Sequence, residues 1–292
     1  IWFNITNPID NIKKYGFYKF IELEIVNFSF NPKKGHFLPN LANHLIGNGM
    51  LYAKQKEWFD YHNYRFPRLL ALGSTTFYQV MNEIVEHPSG KKYINIDSIA
   101  DLLIFNPIGI LLFSFENVKE VFSTKLPIYD WSLQPIYNPS NNYLENTGQN
   151  YVMYFPFLNI GKIEPFVYWG IHGLIGMSYT IKNNEKISIA IGRVVNRIKS
   201  EIRKTNYLEN TIFFTPDMDG SLSLFFSKDN SLTTSLIITG PRFFNLQLNI
   251  YQQVINLGKF SPGFYCAIGE SEGFKFGINF NFLPIGIGQN FN

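Results

Sequence analysis

The feature that most constrains the fold is a strict alternation of apolar and polar residues in the second half of the chain. From Phe274 to Phe282, every second residue is phenylalanine or isoleucine, and the residues between are lysine, glycine or asparagine. Side chains of a β-strand point alternately to opposite faces, so this segment predicts a strand with one apolar and one polar face. Similar alternation marks the segments that begin at Val167, Ile187, Ser231 and Phe244.

Some strand bounds are predicted from local signals. Residues 167–181 alternate without interruption and predict one long strand. Residues 211–215 and 222–227 predict two separate strands, because Asp-Met-Asp-Gly at 217–220 is typical of a turn. Residues 15–30 are a weaker strand candidate, which closes the barrel or packs elsewhere.

Composition favours a sheet in a membrane over a soluble one. Charged residues make up 16% of the chain, against about 25% in a typical soluble domain. The mean hydropathy is only -0.04, and no stretch reaches the ~20 apolar residues that a spanning helix needs. A transmembrane β-barrel has this mixed balance, because every second residue can face the lumen and be polar. Alternation alone also fits a soluble barrel with an apolar interior.

The sequence therefore predicts a mainly β fold: a transmembrane antiparallel β-barrel of a bacterial outer membrane, formed by residues 1–292 as a single domain. The candidate segments allow 8 to 12 strands, and the even numbers eight and ten fit best. The net charge of +3 is too small to indicate a nucleic-acid partner.

The alternation stops between about residues 36 and 122, where the spacing becomes helical. Leu41, Leu45 and Tyr52 share one helical face, and residues 67–86 predict a second helix. A third helix is predicted from Asp97 toward residue 120, with a polar cap at its start. We interpret 36–122 as a helical insertion in the barrel domain, which forms a plug or lies at the rim.

One strand resembles the assembly signal of bacterial outer-membrane barrels. That signal has a polar residue, a glycine two positions later, and then two aromatic residues separated by one position. In this chain the matching residues are Lys275, Gly277, Phe280 and Phe282. The resemblance covers eight residues and supports an outer-membrane location.

The helical insertion also holds the main concentration of ionisable residues in an apolar context. A carboxylate with a histidine can act as a general base, and a group of them can bind a metal. However, neither HExxH nor G-x-S-x-G occurs, so no metal or cofactor is predicted. The favoured interpretation is architectural, with carboxylates paired inside the protein. The candidates are His44, Glu83, Glu86, His87, Asp97 and Asp101.

The same region resembles a family of bacterial outer-membrane β-barrel proteins with an inserted acidic helical region. The resemblance rests on residues 44–51, on the acidic motif 81–86 before His-Pro-Ser, on 95–101, and on Asn-Pro-Ile-Gly at 106–109. It implies an outer-membrane location and no particular activity, because no reaction is established for the family.

The leading functional hypothesis is a non-catalytic barrel that serves as an accessory subunit of a larger outer-membrane complex for assembly or secretion. Its expected partners are outer-membrane lipids and neighbouring proteins. The first alternative is a lipid-modifying enzyme that uses the carboxylates of the insertion. The second is a small-solute channel that the helices plug.

Overall fold

The structure is a computed structural model that describes residues 1–26, 40–86, 95–140, 142–203, 211–241, 244–270 and 273–291, with backbone only at 85–86, 197–203 and 211–216. The described chain is mainly β, with a large curled sheet of 13 strands that forms a half-barrel, and a few helices. The chain divides into two compact units. The helical unit comprises residues 1–119 and 198–216, and the sheet unit comprises residues 120–197 and 217–292.

Short helices begin the helical unit, and longer ones follow. Helix α1 is Trp2–Thr6, α2 is Pro8–Tyr15, and α3 is Phe17–Phe20, which continues as the π-helical turn Ile21–Ile25. Helix α4 is Asn48–Tyr61, preceded by the π-helical segment Asn40–Gly47, and α5 is Pro67–Glu86. Helix α6 is Asp97–Leu112, which includes the π-helical turn Asp101–Phe105, and α7 is Glu116–Lys125.

Helix α4 packs against both α5 and α6. Two glycines allow α6 to come close to the start of α4. A Cβ atom at Gly109 would lie 2.2 Å from the carbonyl oxygen of Leu45, and one at Gly49 would lie 2.3 Å from the Phe113 ring. Because no larger residue fits at either position, this close approach is specified by glycine, and it brings the polar residues of the two segments into contact.

The sheet has 13 strands, two of which run past the bounds of the sheet unit, and two short 3-10 turns, Pro156–Leu158 and Gly258–Phe260, lie within that unit. The first four strands are β1 (Ile128–Asp130), β2 (Ile136–Asn138), β3 (Tyr143–Glu145) and β4 (Asn150–Tyr154). The next five are β5 (Ile163–Gly170), β6 (Gly173–Thr180), β7 (Glu185–Arg203), β8 (Thr211–Lys228) and β9 (Ser231–Thr239). The last four are β10 (Leu246–Ile250), β11 (Pro262–Gly269), β12 (Gly273–Phe280) and β13 (Gly286–Phe291).

Strands β4 to β13 lie side by side in chain order, and the three short strands extend this run of ten at its ends. Strand β1 pairs with β4, and β2 pairs in parallel with β13. In the chain between β1 and β2, the Trp131 N–H donates to Asn150 O at 2.9 Å, and Pro135 O accepts from the Gly286 N–H at 2.8 Å. The continuous segment 128–138 therefore hydrogen-bonds to both ends of the ten-strand run.

The outward parity of these strands is largely apolar, and the buried parity mixes polar residues with aromatic and aliphatic ones. On the paired strands β6 and β7, Met177 and Ile189 lie opposite each other and are 58% and 51% exposed. Ser178 and Ser188 of the same strands are buried and share a hydrogen bond of 2.6 Å. We call the following exposed apolar residues of β6 to β8 and β10 to β13 the outer apolar belt: Ile175, Met177, Tyr179, Ile187, Ile189, Ile191, Leu222, Leu224, Leu246, Ile268, Phe274, Phe276, Ile287 and Phe291.

Aromatic side chains fill part of the buried side of the sheet. Trp131, from the segment that joins β1 to β2, is fully buried, and its ring centroid lies 5.3 Å from that of Phe225. Tyr168 packs against Phe225 at 5.2 Å and donates a hydrogen bond to Trp131 O. The core of the sheet unit is therefore built around a chain segment that lies on the buried face of the strands.

Several strand predictions were wrong. Thirteen strands exceed the predicted 8 to 12, because β1, β2 and β3 have three residues each and are too short to display alternation. Residues 167–181 form two strands, since the chain turns at 171–172 after Gly170, whose φ is +139°. Residues 211–228 form one strand in which 217–220 are extended and make no turn, and β9 pairs with its second part from Ser221 to Lys228.

Residues 15–30 were a wrong strand candidate as far as they are described, because residues 17–25 are helical. Phe20 and Ile21 pack with Ile99 in one apolar cluster, as a helical spacing allows. The helix predicted at 67–86 is confirmed as α5. The predicted third helix is interrupted and forms α6 and α7. The assignment of 36–122 to an insertion in a single domain stays a prediction.

None of the described helices is by itself long and apolar enough to cross a membrane. Helices α6 and α7 meet that criterion only as a pair, and the bend between them is 84°.

Candidate functional site

The structure brings two of the predicted site residues, His44 and Asp101, into direct contact in the helical unit. His44 Nε2 lies 3.3 Å from Asp101 Oδ2, and His44 Nδ1 lies 3.2 Å from Asn106 Oδ1. His44 belongs to the π-helical segment before α4, and its two partners belong to α6. The side chain of Asp101 is 3% exposed and that of His44 is 14% exposed. The close approach at Gly109 is the backbone feature that permits these contacts.

Both ring nitrogens of His44 face an acceptor in this arrangement. A neutral imidazole has a single N–H and satisfies only one acceptor, whereas an imidazolium satisfies both. Rotation of the Asn106 amide by about 180° offers a neutral ring a donor instead, since amide oxygen and nitrogen are interchangeable in shape. That rotation also gives a partner to Asn106 Nδ2, which is buried and unbonded. Either way, both nitrogens are engaged by the protein.

Burial is the main cause that lowers the pKa of His44 below its usual 6.5. The Asp97 carboxylate and the hydrogen bond to Asn106 act in the opposite direction, because both favour the charged ring. Asp97 is thus within electrostatic range of His44. The folded protein consequently favours the neutral ring near neutral pH, with its N–H directed at Asp101.

The polar cluster extends from His44 to the neighbouring helix α5. Asn48 Nδ2 donates to Asn106 O at 3.4 Å, and Gln79 Nε2 donates to Asn48 Oδ1 at 3.1 Å. Glu83 is 4% exposed and lies one turn beyond Gln79 on α5. The cluster therefore links α4, α5 and α6 through buried side chains.

The other sequence candidates are placed as follows. Asp97 begins α6, and its N–H is capped by Asn95 Oδ1 at 3.1 Å. The side chain of Glu86 and all of His87 lie outside the described residues. Among the residues that the structure describes, no three His, Cys, Asp or Glu side chains converge as metal ligands do.

The sequence candidates did not include Gln79, which connects α5 to the cluster. A signal for it exists in the sequence. Thr75, Gln79 and Glu83 recur every four residues on α5, and all three are buried. Polar residues at that spacing share one side of a helix, which indicates a face that is turned toward hydrogen-bonding neighbours.

A second buried polar cluster lies in the sheet unit and contains the first residue of the predicted assembly signal. Lys275 Nζ donates to Glu145 Oε1 at 2.7 Å, and both side chains are less than 10% exposed. Asn138 Nδ2 donates to the same carboxylate at 3.4 Å and to Asn290 Oδ1 at 2.7 Å. Lys275 also lies 4.5 Å from the Phe244 ring centroid. Lys275 therefore ties β12 to the short strand β3.

The other residues of the predicted signal have distinct surroundings. A Cβ atom at Gly277 would lie 2.8 Å from the Ile136 side chain, so glycine at this position makes room for β2. Phe280 and Phe282 stack with centroids 5.6 Å apart. The motif lies on β12, and β13 follows it. Its role in assembly stays a prediction.

His172, in the turn between β5 and β6, is a second buried histidine. Its Nδ1 accepts a hydrogen bond from the Val195 N–H at 3.2 Å, which a ring protonated at that nitrogen cannot do. Burial lowers the pKa of His172 to about 4, against a small opposing effect of a hydrogen bond to Ile171. This histidine is held neutral and has no carboxylate partner among the contacts described here.

No protein-family model, curated protein or solved structure matches this chain.

The contacts of His44 limit the chemistry of its cluster. A general base needs one free lone pair directed at a substrate, and His44 directs both nitrogens at protein groups. The His44 cluster therefore functions as a cross-link between helices in the described conformation. Proton abstraction there requires the Asn106 amide to move aside.

Proposed function

We propose that the protein is a non-catalytic β-barrel of a bacterial outer membrane, which serves as a structural subunit of a larger complex. The outer apolar belt is the observation that carries this proposal. Soluble antiparallel sheets place polar residues on their exposed face. Here the exposed parity is mainly Ile, Leu, Met and Phe, whereas the buried parity mixes Ser, Asn and Lys with aromatic and aliphatic residues such as Tyr168 and Leu174. A hydrocarbon solvent stabilises that distribution.

Two further observations support a lipid-facing wall. The segment 128–138 hydrogen-bonds to both ends of the ten-strand run, which reduces the number of unpaired edge groups. This matters because unpaired backbone groups are costly in lipid. The charged Lys275 and Glu145 are paired inside, where they do not contact hydrocarbon. Trp131, Tyr168 and Phe225 occupy the buried side, which favours a support role over an open channel.

The membrane part of the proposal is tested by the depth of the belt in a bilayer. Ile189→Cys in a Cys266→Ser background is labelled with an environment-sensitive fluorophore and reconstituted into lipid nanodiscs. We expect strong quenching by lipids that carry a quencher deep in the acyl chain. The matched control is Asn183→Cys, in the turn between β6 and β7, which should be quenched weakly. Equal weak quenching at both positions would exclude a lipid-facing belt.

The subunit part is tested by the oligomeric state of the protein after gentle detergent extraction. Native mass spectrometry of the tagged protein is expected to show a complex of fixed stoichiometry with a second protein. A clean monomer under conditions that preserve known envelope complexes would rule the proposal out. The same measurement on a belt variant such as Met177→Ser tells whether the belt itself holds the partner.

The His44–Asp101 contact favours a second candidate, a lipid-modifying enzyme that uses the polar cluster of the helical unit. Buried His–carboxylate pairs occur in general-base sites. The test compares membrane lipid profiles of Glu83→Ala and Asp97→Ala variants with that of the parent protein. Altered lipids with intact folding would support the enzyme. Unchanged lipids with lost stability would support the architectural role.

A further inference from the structure

Helix α5 carries large apolar residues on its exposed side and polar residues among its buried ones. Thr75, Gln79 and Glu83 are 0%, 4% and 4% exposed, and Ala71 and Tyr78 are buried with them. Most of the exposed residues of α5 are apolar. We define the exposed face of α5 as Leu69, Leu70, Leu72, Phe77 and Ile84, which are 40% to 65% exposed.

The end of α4 and the turn that leads into α5 also carry exposed aromatic residues. Tyr61, Tyr64 and Phe66 are 81%, 38% and 54% exposed. Two aromatic residues of α4 pack against the turn. The Trp58 ring centroid lies 5.8 Å from that of Tyr64, and the centroid of the buried Phe59 ring lies 5.3 Å from that of Tyr64. The exposed rings are therefore presented from an ordered turn.

Cations surround the same turn. Lys56, Arg65 and Arg68 line an open cleft together with a single carboxylate, Asp60. Lys56 pairs with Asp60 at 2.8 Å, and Arg65 lies 5.0 Å from the Phe66 ring centroid. The lining of the cleft thus has an excess of positive charge beside exposed aromatic and aliphatic groups.

This combination matches the interface of an anionic membrane. Aromatic rings favour the headgroup level, and guanidinium groups bind phosphate oxygens. An apolar helix face with adjacent basic residues lies in the interface plane and inserts by about 5–10 Å. Helix α5 does not qualify as a spanning helix, so it fits a position along the surface.

We propose that α5 and the turn before it form an interfacial membrane-binding element that prefers anionic lipid. The occupant of the exposed face is the headgroup and upper acyl region of a bilayer. Arg65 and Arg68 contact lipid phosphates, and Leu69 and Leu72 insert beside them. This inference concerns the helical unit and goes beyond the proposed role of the sheet unit.

The experiment uses the full chain with a single label in the Cys266→Ser background. Leu69→Cys is labelled with a fluorophore, and the protein is reconstituted into nanodiscs of phosphatidylcholine alone or of phosphatidylcholine mixed with phosphatidylglycerol. Asp10→Cys, at an exposed polar position on α2, is the matched control. Quenching by lipids labelled near the headgroup reports contact. We expect about twofold or greater quenching at Leu69 relative to Asp10 in the anionic discs.

Charge preference is tested with Arg65→Gln and Arg68→Gln in the Leu69→Cys protein. Both residues are exposed, so the fold should persist, as circular dichroism can verify. We expect the additional quenching in anionic discs to be lost. Lys13→Gln and Lys14→Gln, at exposed positions of α2, serve as the charge-matched control and should leave that quenching unchanged.

Three outcomes would overturn the inference. In the first, Leu69 is unquenched while Ile189 of the outer belt is quenched, so that the sheet unit is in lipid and α5 is not. In the second, quenching is equal in neutral and anionic discs. In the third, Leu69 is protected from a water-soluble quencher only in the presence of a copurified protein, which identifies a protein-binding face. The Ile189 signal separates failure of this inference from failure of the proposed function.

Discussion

In the sheet unit, the buried charge is a lysine–glutamate ion pair, whereas the helical unit buries a histidine against an aspartate. Lys275 and Glu145 lie 2.7 Å apart and are less than 10% exposed. His44 and Asp101 lie 3.3 Å apart, and His44 is partly open to solvent. Histidine is the side chain whose usual pKa lies closest to neutral pH. Both units therefore place polar groups inside, but the described link between α4 and α6 uses a histidine, whereas the described link between β12 and β3 uses an ion pair.

The largest expected effect comes from removal of one partner of the Lys275–Glu145 pair. Glu145→Leu or Lys275→Met leaves the other charge buried, and we expect a loss of about 3–5 kcal/mol in the free energy of unfolding. The double variant Lys275→Met, Glu145→Leu should recover most of that loss. Urea titrations of the three variants measure this, and a double variant as unstable as either single one would contradict it.

An exposed ion pair provides the control for that experiment. Lys125 and Glu120 lie 3.8 Å apart, and their side chains are 64% and 59% exposed. Because solvent screens such a pair, Glu120→Gln should change the free energy of unfolding by no more than about 0.5 kcal/mol.

A smaller effect is expected from acid, and it sharpens the contrast between the two histidines. The pKa of His172 in the folded protein is about 4, below the unfolded value of about 6.5. The unfolded state therefore binds a proton first as the pH falls. The contribution of His172 to the free energy of unfolding is about 3 kcal/mol. It is fully present above pH ~6.5 and is lost as the pH falls from ~6.5 to ~4.

The variant His172→Asn isolates that contribution. The Asn Oδ1 can accept the hydrogen bond from Val195 N–H and does not titrate. The difference in unfolding free energy between parent and variant should fall as the pH is lowered from 7 to about 4.5. A difference that is constant over this range would contradict a depressed pKa. Burial also lowers the pKa of His44, while the Asp97 carboxylate raises it.

The smallest effect is expected at the histidine cross-link itself. His44→Asn keeps the contact with Asn106 and removes the one with Asp101, so we expect a loss of about 1–3 kcal/mol, typical of a hydrogen bond to a charged group. Hydrogen exchange should show faster exchange in α4 and α6, with β6 and β7 unchanged. Uniform acceleration throughout both units would contradict a local cross-link.

Part of the candidate site could be predicted from the sequence. His44 and Asp101 were named because ionisable residues stand out among apolar helical residues, and they do meet. Their partner Asn106 was noted only within the Asn-Pro-Ile-Gly motif, and Gln79 was missed. Amides carry no charge signal, so their role became visible only when packing showed which donors and acceptors face each other.

The fold also has elements that could be predicted from the sequence and elements that could not. Long alternating segments such as β7 and β12 and the helix α5 were predictable, because each repeats one spacing over many residues. The three-residue strands β1 to β3 and the break after Gly170 were not. Their conformation depends on partners distant in the chain, such as Asn150 and Gly286, rather than on a local pattern.

The sequence by itself determined that the strands have one apolar and one polar face, because side chains alternate with a period of two. It did not determine which face is buried, since a soluble barrel and a membrane barrel carry the same alternation. The tertiary structure decided this by the direction of curling, which turned Ser178 and Lys275 inward and Met177 and Phe276 outward. Strand periodicity is a local property of the backbone, whereas the sense of burial depends on the pairing of strands throughout the sheet.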